Sequence, residues 1–285
     1  MKMDRLLLCT DLDRTIIPNG YQPEHPEART YFKQLCCLSE VTLVYVSGRN
    51  QQLVKQAVKE YALPVPDFAI TDVGTKIFQL VQEKWQELGF WQETIAAAWK
   101  GKSHGQLQQA LSRFPELSLQ EKSKQNSFKL SYYLPLDADR GKIIQQAETL
   151  LTQMGVAASL IWSVDEPEQI GLLDVLPRHA TKLHAIECLR RQLGFCHEEL
   201  MFAGDSGNDL PVLTSQIQSV LVDNASAEIK QAALQLSQHN GHASALYLAQ
   251  SEVRDNNGNY AAGVLQGVGH FAPQFRHRDK AEKMI

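Results

Sequence analysis

The sequence predicts an α/β protein: a doubly wound, mainly parallel sheet interrupted by an inserted α+β segment. Three observations predict it. Short β-rich apolar runs alternate with longer polar stretches of helical period. Two of these runs stop abruptly at carboxylates, Asp11 with Asp13 and Asp205 with Asp209, at the carboxyl ends of strands where such sheets bind ligands. About ninety residues between Leu80 and Asp174 break the alternation, and an insertion of that size is a domain in its own right.

The elements follow in order. Strands are expected at residues 6–10, 41–47, 68–71, 200–203 and 219–222, and helices at 50–61, 181–193 and 225–236, where Ala, Leu and Gln recur at helical spacing. The interval begins with a Trp- and Gln-rich helical region. It continues through a strand at 128–133, another helical stretch and a strand at 159–162. Residues 1–79 and 175–285 are therefore expected to form the core and 80–174 the insert. The apolar stretch 260–271 reads as a final helix packed on the core, and the mostly charged stretch 276–284 as a tail that frays.

Composition excludes several functions. With 285 residues, 44% hydrophobic and 21% charged, the chain has the makeup of an ordinary globular protein. A net charge of −4, with no dense Lys/Arg cluster, argues against nucleic acid as a partner. No run approaches the ~18 apolar residues of a membrane span, and the apolar run 6–9 is too short for a signal peptide. Cys9, Cys36, Cys37, Cys188 and Cys196 are odd in number and scattered, so they are expected to be reduced thiols of a cytoplasmic protein. His239 and His242 have HxxH spacing but no evident third ligand and are read as surface residues.

Four stations carry chemistry. Asp11 and Asp13 follow an apolar strand two residues apart, a period that sends both side chains to one side of an extended chain. Two like charges so placed need a partner, and hard oxygen ligands beside a phosphate favour Mg2+. The second acidic cluster, Gly204-Asp205-Ser206-Gly207-Asn208-Asp209, also ends a strand and points to the same crevice. Between them, Ser47-Gly48-Arg49 closes a strand at a helix entrance, where a serine either caps the helix or helps hold an anion. Lys182 opens a helix, where the dipole disfavours a cation.

In this order, DxDxT, a serine after a hydrophobic strand, a lysine and GDSGND resemble the motif set of the haloacid dehalogenase (HAD) phosphohydrolase superfamily. The resemblance covers residues 4–78 and 174–236. It implies Asp11 as the nucleophile that takes the phosphoryl group and Asp13 as general acid, then base. It also implies Ser47, Gly48, Lys182 and Asn208 as phosphate holders. Asp11, Asp205 and Asp209, with the carbonyl of Asp13, would form the Mg2+ site. Ser47 lies 36 residues after Asp11 and Lys182 lies 135 after Ser47, so the insert falls between Ser47 and Lys182, the position of the superfamily's type II (C2B) cap.

Further phrases resemble the sucrose-phosphate phosphatases in particular: Asp11 to Thr15, Thr71 to Ile77, Phe128 to Tyr133, Asp174 to Pro177 and Gly204 to Asp209. On a strand, Lys129, Ser131 and Tyr133 share a polar face that suits a disaccharide's hydroxyls, with Asn126 nearby and Asp174 in a further phrase. The same face would be merely wet if the strand were only amphipathic. Arg14 stands where relatives carry a smaller or amide residue, and it either touches substrate or lies in solvent. Leu183 replaces a common glycine, and Pro18-Asn19-Gly20 reads as a turn.

The expectation is a Mg2+-dependent phosphatase for a sugar phosphate, foremost sucrose 6-phosphate, with a role in sucrose biosynthesis. Mannosylfructose, trehalose and mannosylglycerate phosphates are alternative substrates. A phosphosugar mutase and a non-catalytic sugar-phosphate binder are alternative functions. A separate sugar-phosphate synthase is a candidate partner, and the chain is expected to be a monomer or weak oligomer.

Overall fold

Five consecutive buried side chains, Leu6–Thr10, form strand β1. Burial on both faces is why the run does not alternate. The computed structural model describes residues 5–165, 168–251 and 257–275, so the charged tail 276–284 lies outside the described residues. After β1 come α1 (Ala28–Cys36), β2 (Val41–Val46), α2 (Gln51–Glu60), β3 (Phe68–Thr71), β4 (Lys76–Val81) and β5 (Lys84–Glu87). Then follow α3 (Gly89–Ala96), α4 (His104–Leu111), β6 (Ser118–Leu119), β7 (Leu130–Leu134), α5 (Arg140–Gln153), β8 (Ala158–Asp165) and β9 (Ile170–Pro177). The chain continues through α6 (Lys182–Leu193), β10 (Leu200–Gly204), α7 (Leu210–Leu213) and β11 (Gln218–Leu221). It ends with α8 (Ala227–His239), β12 (Leu246–Leu248) and α9 (Tyr260–Phe271).

The large sheet has the order β12-β11-β10-β1-β2-β3-β4-β5. It is parallel from β12 to β3 and antiparallel at β4 and β5. Successive strands step one way from β1 through β3 and the other way from β10 through β12. The order therefore reverses between β1 and β10, and a crevice opens at their carboxyl ends. One face packs on α1, α2 and α9 through Leu6, Leu8, Tyr45, Met201 and Val264. The other packs on α3, α6, α7 and α8 through Leu7, Val44, Phe202, Trp91, Ile186 and Ala233. The predicted terminal helix coincides with α9, buried along nearly its whole length.

The insert has its own antiparallel sheet, β6-β7-β9-β8, and its own core around Trp99, Leu107, Leu130, Tyr132, Leu151 and Leu173. Sheet membership and the expected boundaries at 80 and 174 do not coincide. The large sheet runs on through Glu87, because β5 pairs with β4 in a hairpin. Trp91 and Ile95 of α3 also pack on the core face. At the far end β9 stays in the small sheet to Pro177, opposite Ala158. No two of the five cysteines are bonded. Among the described residues, no helix is long and apolar enough to cross a membrane.

Candidate active site

The crevice is assembled from strand ends. The backbone N–H of Asp11 donates to the Ala203 carbonyl at 2.9 Å, tying the end of β1 to β10. Asp11, Asp205 and Asp209 are all buried, and each can offer a carboxylate oxygen within 4.8 Å of the others. Among the described residues this is the one group of three that could hold a metal ion; His239 and His242 join no such group. Three hard oxygen donors fit Mg2+.

Lys182, 1% exposed, lies between two of these acids, with Nζ 3.0 Å from Asp11 Oδ2 and 2.7 Å from Asp209 Oδ1. Asp209 Oδ2 in turn accepts from the Asp205 and Ser206 backbone N–H groups, each at 3.1 Å, and from Ser206 Oγ at 3.2 Å. Both oxygens of Asp209 therefore already hold the lysine and its own loop. Burial pushes the Asp11 carboxyl up, with Asp209 and Asp13 adding to it and Lys182 pulling back, to about 7. Burial, and then the neighbouring Asp209 and Asp11 charges, push Asp205 well up. Burial works against the Lys182 ammonium, but Asp11 and Asp209 outweigh it and raise its proton affinity. A buried acid cluster held this far from its ordinary ionisation has too little positive charge around it, which a bound cation would supply.

Asp13 is held differently. Arg49 grips it with Nε to Oδ2 at 2.7 Å and Nη2 to Oδ1 at 2.6 Å, and Asn19 Nδ2 donates to Oδ1 at 2.8 Å. Burial pushes this carboxyl up, yet the Arg49 and Asn19 bonds outweigh it and leave it below its ordinary value. Asp13 is thus ionised and turned to Arg49, and its carboxylate stays outside the group of three.

Ser47 is buried at the end of β2, its N–H bonded to the Ile70 carbonyl at 2.9 Å and its Oγ accepting from the Arg49 N–H at 3.2 Å. It does not cap α2; that place belongs to Asn50, whose side chain accepts from the Leu53 N–H. Beside Gly48, Val73 donates its N–H to the Ser47 carbonyl at 3.1 Å. Val73 belongs to a strained turn in which Asp72, Val73 and Gly74 have φ of 53°, 62° and 103°, the left-handed region that a β-branched residue seldom enters. Gly74 allows this turn to press on the start of α6, because a Cβ there would come within 2.6 Å of the Lys182 nitrogen. Asn208 is half-buried, with its Oδ1 accepting from Ser206 Oγ at 3.3 Å.

In the insert the structure unites part of the predicted polar face. Lys129 and Ser131 are buried and both turn to Asp174, Lys129 Nζ lying 3.8 Å from its Oδ1 and Ser131 Oγ donating to the same oxygen. Tyr133 does not join them, since its hydroxyl donates to Glu121 at 2.9 Å. Asn126 reaches across to the core, donating from Nδ2 to Thr75 Oγ1 at 2.9 Å beside the strained turn.

Several partners escape a reading of the sequence. Thr15 donates to Asp205 Oδ1 at 3.2 Å, and Arg49 and Asn19 hold Asp13. Each lies in or next to a quoted motif, and only the fold supplies its partner. Arg14 does not lie in solvent, its side chain being 16% exposed. Its Nη2 donates to the Asn224 carbonyl at 3.0 Å, and its Nε is 3.5 Å from Asp205 Oδ2.

The sequence profile of the sucrose-6F-phosphate phosphohydrolase family matches residues 4–272. A Nitrosococcus oceani protein described as a HAD-like hydrolase is 46% identical over 272 residues, which are 95% of this chain and 73% of its own length. Sucrose-phosphatase 1 of Nicotiana tabacum is 28% identical over 94% of this chain, and the chain spans 59% of that protein's length. The solved structure of the Synechocystis sucrose-phosphatase, in complex with sucrose and phosphate, matches with a TM-score of 0.77 and 26% identity. It covers 95% of this chain and 98% of that one. A profile spanning both the crevice and the insert, together with a shared fold over nearly the full length, places the chain in the sucrose-6F-phosphate phosphohydrolase family, HAD-type sugar-phosphate phosphatases.

Proposed function

We propose that the chain removes phosphate from sucrose 6-phosphate in two displacements, with residues 97–177 as the lid that recognises the sugar. The observation that carries this reading is the buried Lys182 bridging Asp11 and Asp209 beside Asp205. That arrangement supports reading Asp11 as a nucleophile, Lys182 as a phosphate-holding cation and the acids as a metal site in one crevice.

In the first step a carboxylate oxygen of Asp11 attacks phosphorus and the bond to the sugar oxygen breaks. Asp13 donates a proton to that oxygen, so that it leaves as a hydroxyl. In the second step Asp13, now ionised, takes a proton from water. The water oxygen attacks the phosphorus of the aspartyl phosphate, freeing Asp11 and inorganic phosphate. Lys182, Ser47, the backbone at Gly48 and Asn208 hold the phosphoryl oxygens. Asp11, Asp205 and the Asp13 carbonyl, with Asp209 fixing the loop, would hold a Mg2+ ion, which would supply the positive charge that lets an anion attack an anion. Before substrate arrives Asp13 is ionised against Arg49. A phosphate dianion entering beside it adds like charge and competes for Arg49, and both effects raise its affinity for a proton. Lys129, Ser131 and Asp174, with Asn126 at the lid–core seam, form the sugar-facing group, and Tyr133 lies at its margin.

The test is phosphate release with Mg2+ across sucrose 6-phosphate, trehalose 6-phosphate, mannosylfructose phosphate and hexose phosphates. The reading expects kcat/KM highest for sucrose 6-phosphate. A clear preference for another member of the panel would replace the substrate and keep the reaction. Transfer of phosphate between sugar positions without its release would make the chain a mutase.

A further inference from the structure

Arg14 is fastened at both ends. Its backbone is left-handed, with φ of 57°, its N–H donates to Asn19 Oδ1 at 2.8 Å, and its carbonyl accepts from Asn224 Nδ2 at 2.6 Å. Asn224 is held in turn by the Tyr260 N–H, which donates to its Oδ1 at 2.8 Å at the start of α9. The guanidinium is thereby kept beside Asp205 Oδ2, at 3.5 Å, with its side chain only 16% exposed. Asp205 Oδ1 faces Thr15 instead.

We propose that Arg14 is a built-in counter-cation for Asp205, which steadies the crevice when no metal ion is bound and weakens Mg2+ binding as the consequence. The inference rests on the reading of Asp205 as a Mg2+ ligand. Around the crevice stand the carboxylates of Asp11, Asp13, Asp205 and Asp209, opposed by Lys182, Arg49 and Arg14. Lys182 and Arg49 serve Asp11, Asp209 and Asp13, which leaves Arg14 as the cation beside Asp205. A fixed positive charge there lowers the cost of burying an ionised Asp205. The same charge repels a divalent ion drawn to that carboxylate. An uncharged residue at this position would lack both effects. Arg14 thus tunes metal affinity as a positioning and charge-balancing residue, without touching the phosphoryl group.

The experiment is calorimetric titration of the full metal-free chain with Mg2+ alone, for the wild type, Arg14→Asn, Arg14→Gln and Arg14→Lys. Removing the charge is expected to tighten Mg2+ binding by roughly tenfold in either amide variant, and Arg14→Lys should stay within about twofold of the wild type. Thermal melts in chelator should show both amide variants less stable than the wild type, with a larger gain on adding Mg2+. Unchanged or weaker Mg2+ binding in the amide variants would overturn the proposal and make Arg14 a structural hydrogen-bond donor. Absence of Mg2+ binding to the wild type would instead remove the metal site on which the proposal rests. If one amide variant fails to fold, the other decides.

Discussion

Arg49 and Asp13 form a two-pronged ion pair across 36 residues of sequence, both contacts shorter than 2.8 Å. The carboxylate that the proposed reaction uses to protonate the leaving group is therefore oriented, and held ionised, by a side chain from the next strand's end. Changing Arg49 to Met should free the carboxylate to rotate and let its pKa rise. A charge-assisted pair of this kind contributes on the order of 1.5–3 kcal/mol. We expect kcat to fall roughly tenfold to a hundredfold and the alkaline limb of the kcat–pH profile, where a general acid is lost by ionising, to move upward by about one unit or more. An unchanged profile would separate Asp13 from proton transfer.

Asp11→Asn should abolish turnover, by at least about a thousandfold, while the fold survives. Circular dichroism and a melting curve check the second half, and phosphate release the first. Substantial activity in this variant would refute the assignment of the nucleophile.

The buried acids link metal to pH. Because the Asp11 carboxyl is raised, chiefly by burial, to about 7, the metal-free folded state holds its proton more tightly than the unfolded chain does. Its contribution to stability is full below the ordinary carboxylate range of about 4 and is lost as pH rises through about 7. Asp205 shifts in the same direction. Mg2+ compensates the ionised carboxylates, so the rise in Tm on adding Mg2+ should be small near about pH 5.5 and larger near about pH 8. Melting curves with and without the ion at several pH values test this, and a rise independent of pH would contradict it.

The lid's polar cluster makes a substrate-dependent prediction. Lys129→Met or Ser131→Ala removes a partner of Asp174 inside the lid. KM for the preferred sugar phosphate should rise roughly tenfold, whereas kcat/KM for a small aryl phosphate ester changes by less than about twofold. Equal losses on both substrates would move the cluster out of the sugar site.

Stability of the lid has its own weak point. Gly171 pairs with Leu134 on one side and Val164 on the other, and the Trp162 ring occupies the space where its side chain would be. Gly171→Ala forces that ring aside and should cost about 1–3 kcal/mol, read as a lower denaturation midpoint monitored by tryptophan fluorescence.

The runs of consecutive apolar residues were enough to locate β1, β2, β3, β10 and β11 to within a residue or so, because strands buried on both faces advertise themselves by composition. The β4–β5 hairpin was not legible. It lies at the sheet's antiparallel edge, where Lys84, Gln86 and Glu87 can stay exposed and the apolar signal is diluted. Trp91 falls within the expected insert, yet its Nε1–H donates to the Gly74 carbonyl in the core at 2.9 Å. Asp11, Asp205 and Lys182 were visible as strand-end and helix-start residues. The partners of Thr15 and Arg49, 190 and 36 residues away, depend on which strands neighbour one another, and local pattern does not carry that information.

The strained turn at Asp72 to Gly74 touches everything that must act together. Its N–H groups go to the carbonyls of Arg49 and Ser47, its glycine abuts the first turn of α6 at Lys182, and the adjoining Thr75 receives Asn126 from the lid. Three left-handed residues in succession persist only while those neighbours hold them. Loosening any one neighbour therefore releases the others, so heat or denaturant should extinguish activity in a single sharp step. The insert and the crevice would fail as one mechanical unit.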